Sequence, residues 1–215
     1  MTRIGLLSDT HGYWDERYAK YFSQCDEIWH AGDIGSSELA DRLSSIKKIT
    51  TPVPEHVEGQ NPQNPQNPQN PQNPQNPQNH SEASIPAQFN CATPQPPQAI
   101  TFRAVFGNID GYDIRHRFSE KYRFKCEDVD VLIKHIGGYP GNYDASIRGT
   151  LFTRPPKLFI SGHSHILKVM YDKTLNMLHI NPGAAGISGF HKQRTLIRFT
   201  INGTEIQDLE VIELN

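Results

Sequence analysis

Six consecutive Asn-Pro-Gln triplets occupy residues 61–78, and they decide which parts of this chain can build a core. Proline at every third position removes a backbone donor each time and drives the preceding residue to extended φ/ψ, which excludes a helix or a central strand. The expected state is a fluctuating polyproline-II-like strand, about 55 Å long at full extension. Its side chains cannot offset the entropy of ordering by burial, so the segment reads as disordered. Residues 51–101 hold 12 of the 16 prolines, three glutamates and no Lys or Arg. They are set apart as a low-complexity insert, tolerated rather than functional, with a proline-rich docking motif as the alternative. The core must then come from 1–50 and 102–215, enough for a single domain.

Joining Thr50 to Phe102 across the insert gives KKITFRAVFGN, a continuous strand leading to Gly107-Asn108. The insert would enter at that strand's start and leave Asn108 at its finish, roughly 20 Å away at ~3.3 Å per residue. Apolar period and punctuation predict strands at 3–8 and 27–31, helices at 15–24 and 36–45, and strands at 129–134 and 157–160. From Leu167 onward the pattern turns to hairpins, 168–171 with 177–180 and 196–201 with 205–212, the latter turning at Asn202-Gly203. Early βαβ units followed by antiparallel strands predict an α/β (α+β) fold, with two mixed sheets packed face to face and helices outside.

Charge and composition narrow the function classes. A formal net charge of -2 argues against a nucleic-acid surface, which needs clustered Lys and Arg. The Arg115-His116-Arg117 and Lys121-Tyr122-Arg123 region reads as a solvated segment. No apolar run approaches the ~20 residues of a membrane helix, and Ile4-Gly5-Leu6-Leu7 is strand-sized rather than a leader core. Cys25, Cys91 and Cys126 lack disulfide or CxxC spacing. The expected location is the cytoplasm.

Five short pieces carry the chemistry: Asp9-Thr10-His11, Gly32-Asp33, Gly107-Asn108, His135 and Gly162-His163-Ser164-His165. Each follows an apolar, strand-like run. Singly, most have bland readings: Asp33 as a helix cap, Gly-Asn as a turn, His135 as a core histidine. Two imidazoles one residue apart on a Gly-started turn are harder to explain structurally. Seven oxygen and nitrogen donors from five loops suit two neighbouring divalent cations. The imidazole and carboxylate mixture favours Mn, Fe, Co, Ni or Zn over Mg or Ca, with manganese taken first.

Together with the flanking SDTHG at 8–12, HAGDIG at 30–35, FGNID at 106–110 and NPG at 181–183, the set resembles the calcineurin-like metallophosphoesterase family, in particular its small single-domain phosphodiesterase branch. The resemblance covers about 1–50 and 102–215; the insert has no counterpart. It implies a four-layer αββα sandwich and hydrolysis of a small phosphodiester by a hydroxide bridging two divalent cations. Asp9, His11 and His165 would hold one ion, Asn108, His135 and His163 the other, and Asp33 would bridge them, so that Asp33, Asn108 and His135 act catalytically. Phosphomonoesterase relatives carry a histidine directly after the asparagine. Here Ile109 stands in that place and cannot donate a proton, which points to activated, aryl-like diesters. The rival reading is a non-catalytic scaffold like the retromer subunit of the same fold, opposed by retention of all seven ligands; a phosphomonoesterase is a third. A homo-oligomer is left open.

Of the other histidines, His30 is expected either to orient a ligand or to pack in the core. His56 and His80 are expected to titrate freely, and His116, His179 and His191 lack partners at ligand spacing, though His191 could border the pocket. Tyr139 or Tyr143, after the turn that follows His135, could touch substrate.

Overall fold

Ile4 and Leu6 point to one side of the first strand and Leu7 to the other, and all three are fully buried. A strand covered on both faces belongs in the middle of a sheet. The computed structural model, which describes residues 1–49 and 98–214, places this strand, Thr2–Leu7 (β1), at the centre of the first sheet. The expectations for residues 51–97, disorder and triplet extension included, lie outside the described residues.

The chain continues through Glu16–Phe22 (α1), Glu27–His30 (β2) and Ser37–Ser44 (α2). Asp15 caps α1 by accepting from the Arg17 N–H, and Ser36 caps α2 through the Leu39 N–H, the short polar acceptors that free helix N-termini require. Lys47–Lys48 (β3) and Gln98–Ala99 (β4) pair antiparallel, and Thr101–Ala104 (β5) joins β2 in parallel register. The continuous strand expected across the junction is thus two elements: Lys47 and Lys48 lie beside Ala99 and Gln98 in a ladder of their own, and residue 101 already belongs to β5.

Then follow Tyr112–Arg117 (α3), Lys121–Cys126 (β6), Val129–Lys134 (β7), Gly138–Tyr139 (β8), Asn142–Tyr143 (β9), Ala145–Thr153 (α4) and Leu158–Ile160 (β10). Two hairpins close the fold, Leu167–Asp172 (β11) with Met177–Pro182 (β12), and Arg194–Asn202 (β13) with Glu205–Leu214 (β14). The expected hairpins are in place, although the second turns at Gly203-Thr204, because Asn202 still pairs with Glu205.

The first sheet runs β14-β13-β1-β2-β5, with β1, β2 and β5 parallel and β13 and β14 antiparallel at one edge; the second runs β11-β12-β10-β7-β6, with the three inner strands parallel and both edge strands antiparallel. Three apolar clusters define the layers. Tyr18, Phe22, Leu39 and Leu43 seat α1 and α2 on the first sheet. Ile4, Leu6, Trp29, Val131, Ile133, Ile160 and Phe199 fill the space between the sheets. Ile147 and Leu151 of α4 cover the second sheet over Phe159 and Met177. The protein is a four-layer αββα sandwich. Among the described residues no helix is long and apolar enough to cross a membrane.

Candidate metal centre

Parallel strands in register bring their carboxyl ends to one edge. Leu7 lies beside His30 and His30 beside Ala104 in the first sheet, and Ile133 beside Ile160 in the second. The loops leaving these ends carry all seven candidate side chains, in the crevice where open α/β sheets present their ligands. The loops are stitched by backbone bonds: Asp9 N–H to Gly32 O at 3.0 Å, His11 N–H to Asp33 O at 3.0 Å, and Gly162 N–H to His135 O at 2.9 Å. Of eight non-glycine residues with positive φ among those described, five are candidates: Asp9, His11, Asp33, His163 and His165, all between 49° and 66°. This sparsely used backbone region costs energy, and it turns five polar side chains inward over a short stretch of chain.

The side chains form two groups, Asp9 with His11 and His165, and Asp33 with His135 and His163, the donor atoms within each lying within 4.8 Å of one another. His165 Nε2 is 3.2 Å from Asp9 Oδ1 and 3.4 Å from His11 Nε2. His135 Nε2 is 3.2 Å from Asp33 Oδ2 and 3.2 Å from Asn108 Oδ1. Asp33 Oδ2 also lies 3.8 Å from His11 Nε2, so its carboxylate stands between the groups. All seven candidates therefore meet at one edge.

The donor chemistry fits cations. Asp9 is fully buried, yet its Oδ1 has no hydrogen-bond donor; an ionised oxygen left so is costly unless positive charge faces it. His135 sends its Nδ1–H to the Ala31 carbonyl at 2.8 Å, which leaves the Nε2 lone pair directed at Asp33 and Asn108, the tautomer a metal ligand needs. The Asp9 carboxylate, 3.2 Å from its Nε2, raises the His165 pKa. Burial pushes His135 down, but the Asp33 and Asp9 carboxylates outweigh it and its pKa is raised. For Asp33 burial pushes up, and the neighbouring His135 imidazole, with the Ile109 N–H bond, brings it below the usual carboxylate value. Clustered carboxylates and imidazoles thus trade protons for the positive charge that cations would supply. The structure holds two candidate divalent-metal clusters.

Several residues that position these groups were not legible as such. Asp110, 3% exposed, accepts N–H bonds from Gly35 at 2.7 Å, Gly107 at 2.8 Å and Ile34 at 3.2 Å, tying the Asn108 loop to the Asp33 loop. Asn181 donates to Gly162 O at 2.8 Å and Ser164 Oγ at 3.1 Å, bracing the His163–His165 turn. Both lie within motifs of the sequence, FGNID at 106–110 and NPG at 181–183, which are the signal that marks them. Arg115 is exposed, as expected of a solvated segment, yet its guanidinium also donates to the carbonyls of Asp110, Gly107 and Asn108. His30 is buried, accepting from Gly32 N–H at 3.1 Å and meeting Thr10 Oγ1 at 2.8 Å; it braces loop backbone rather than a candidate ligand.

Beside His163 lies a cleft of about 440 Å³ lined by Tyr139, Lys168, Arg148 and Asn142 among others. Tyr139 is partly exposed there, whereas Tyr143 is buried with its hydroxyl on Asp172 Oδ2 at 2.7 Å. Of the two tyrosines expected at the rim, only Tyr139 presents itself to solvent.

A family model described as the calcineurin-like phosphoesterase superfamily domain matches residues 2–90 and 84–204. No curated protein sequence matches the chain. Solved structures share the fold at low identity. The chain is similar to wild-type Vps29 in complex with zinc from Entamoeba histolytica (12% identity, 99% of this chain and 98% of that one, TM-score 0.59). It is similar to Vps29 from Chaetomium thermophilum (9%, 100% and 97%, TM-score 0.60), and to an archaeal phosphodiesterase (16%, 99% and 99%, TM-score 0.56).

Proposed function

The chain belongs to the calcineurin-like phosphoesterase superfamily, and we propose that within it the protein works as a metal-dependent phosphodiesterase on small substrates. The observation that carries this reading is the Asp33 carboxylate, 3.2 Å from His135 Nε2 on one side and 3.8 Å from His11 Nε2 on the other. In this reading Asp9, His11 and His165 hold one divalent cation, Asn108, His135 and His163 hold a second, and Asp33 serves both. A cation pair so held would supply a water nucleophile of lowered pKa and electrostatic stabilisation of the phosphoryl group under attack. Manganese is the first choice for an imidazole and carboxylate donor set, ahead of nickel, iron, cobalt or zinc.

The chain's own residues shape what is cleaved. Two carboxylates against two divalent cations keep the centre net positive, suited to a phosphodiester monoanion. Ile109, at 46% exposure beside Asn108, offers no proton to a leaving group. Substrates whose leaving group departs unassisted, aryl diesters above all, should therefore be preferred, since general acid catalysis is worth roughly 10²–10⁴-fold where it operates. The cleft beside His163 would take the ester's organic arm, with the Tyr139 ring as one wall and the Lys168 ammonium 3.6 Å over it. We place the activity in the cytoplasm and assign residues 51–101 no part in it.

A second reading, a vacuolar-sorting scaffold, is favoured by the recurrence of Vps29 among the similar structures. One of them is a zinc complex, so retained ligands do not by themselves exclude this reading, contrary to the expectation from sequence. Exposed apolar residues on the edge strand β11, Val169, Met170 and Tyr171, also suit a contact surface. A hydrolysis screen of the manganese-loaded protein over mono- and diesters, run beside Asp33→Asn, separates the two. Aryl diester cleavage lost in the variant supports the enzyme; an inert, metal-loaded wild type supports the scaffold.

A further inference from the structure

His191 lies in the loop between β12 and β13 and belongs to neither metal group, yet its Nδ1 is 3.2 Å from His165 Nδ1, with the rings edge to face at 73°. Its other nitrogen, Nε2, is 3.0 Å from the carbonyl oxygen of Gly186. A carbonyl only accepts, so Nε2 carries the proton and neutral His191 presents a bare lone pair at Nδ1. That lone pair accepts the Nδ1–H of His165. The proton is then fixed on the far side of the His165 ring, and the Nε2 lone pair faces Asp9 Oδ1 and His11.

The same loop is anchored to the other ligand. Ala185 N–H bonds to Ser8 O at 2.9 Å and Gly186 N–H to Asp9 O at 3.1 Å. Gly189, at φ +120°, passes so close to the two rings that a Cβ there would overlap His165 Nδ1. A single segment therefore grips the backbone of Asp9 and the ring of His165. Among the described residues no comparable further imidazole hydrogen-bonds His135, whose Nδ1 is held by the Ala31 carbonyl.

We infer that His191 is a positioning residue: it selects the metal-binding tautomer of His165 and so sets the affinity of the Asp9–His11–His165 site alone. This rests on the metal-centre reading above. Its consequence is asymmetry, with one ion sensitive to residue 191 and the other indifferent.

The test is calorimetric titration of chelator-stripped protein with zinc, for wild type, His191→Ala and His191→Asn. Asn places an acceptor oxygen near the position of Nδ1 and should rescue. Wild type is expected to take two equivalents. In His191→Ala one of these should weaken by roughly ten- to hundredfold, a usual effect of removing a metal ligand's hydrogen-bond partner, while the other keeps its affinity and His191→Asn recovers most of the loss. Two equivalents bound by His191→Ala as tightly as by wild type would overturn the role of His191 and leave the metal centre standing. Fewer than two in wild type would overturn both. Nitrogen NMR of the zinc-loaded wild type gives a check independent of any variant. His191 should be neutral and protonated at Nε2; a proton on its Nδ1 contradicts the inference.

Discussion

The Asp110 carboxylate accepts the backbone N–H of Gly35 at 2.7 Å across 75 positions of sequence. Two further N–H groups, from Gly107 and Ile34, share that carboxylate, so one buried side chain sets the spacing of the loops that carry Asn108 and Asp33. Asp110→Ala would leave three donors unpaired, at about 1–3 kcal/mol for each that water cannot reach. Urea denaturation should show a loss of about 2–4 kcal/mol, and metal titration a weakened ion at Asn108.

Gly107 illustrates how little space the centre leaves. A Cβ at that position would overlap Asp33 Oδ1 and its backbone nitrogen. Gly107→Ala should therefore fold, because the strain is confined to a loop, and should bind both ions less tightly, by at least tenfold, because Asp33 serves both. Affinities equal to those of the wild type would show that the carboxylate has room to move.

Two histidines tie stability to pH. Burial lowers both His30 and His179 to about 4, with the Lys168 charge adding to the effect at His179. Unfolding returns each to the ordinary value near ~6.5. Between those limits the unfolded chain binds more protons, so stability should fall as pH drops from about 6.5 towards 4. Denaturation midpoints across that window check this, and His179→Gln should flatten part of the slope.

The insert can be removed at a defined place. Lys48 and Gln98 are antiparallel partners, so their strands are one ladder spacing apart and a short glycine-containing turn can join them. Replacing 50–97 by such a turn should give a folded protein with hydrolysis within a few-fold of the full chain. Loss of folding would show that the insert contributes to the core.

At Ile109 a histidine can be introduced next to Asn108. If absence of a general acid limits the chemistry, Ile109→His should raise cleavage of alkyl phosphomonoesters by about tenfold or more and flatten the dependence on leaving-group pKa. Unchanged rates would place the limit elsewhere.

The parts of this molecule legible from sequence share one property: their signal is local. β1, β2, β7 and the two C-terminal hairpins follow apolar runs or period-two patterns, and the seven clustered donors stand directly behind strands. Elements with mixed local signal were not anticipated. β6 alternates Lys and Arg with Tyr122 and Phe124 and exposes one face, α3 has six residues, and α4 carries an interior Gly149 and buries only Ile147 and Leu151. The supporting bonds were hidden for a different reason. Asp110 meets Gly35, and His191 meets His165 26 positions away, through contacts that exist only once the sheets are assembled. The charge of Arg115 is visible in the sequence and its exposure follows from it, but its three carbonyl partners are not.

The central claim is tested most directly by adding manganese stepwise to chelator-stripped protein while following hydrolysis of an aryl phosphodiester. The account predicts a rate that climbs with the second equivalent, levels at two per chain, and stays at background throughout in Asp33→Asn. A wild type that binds two equivalents and still does not exceed background would contradict it.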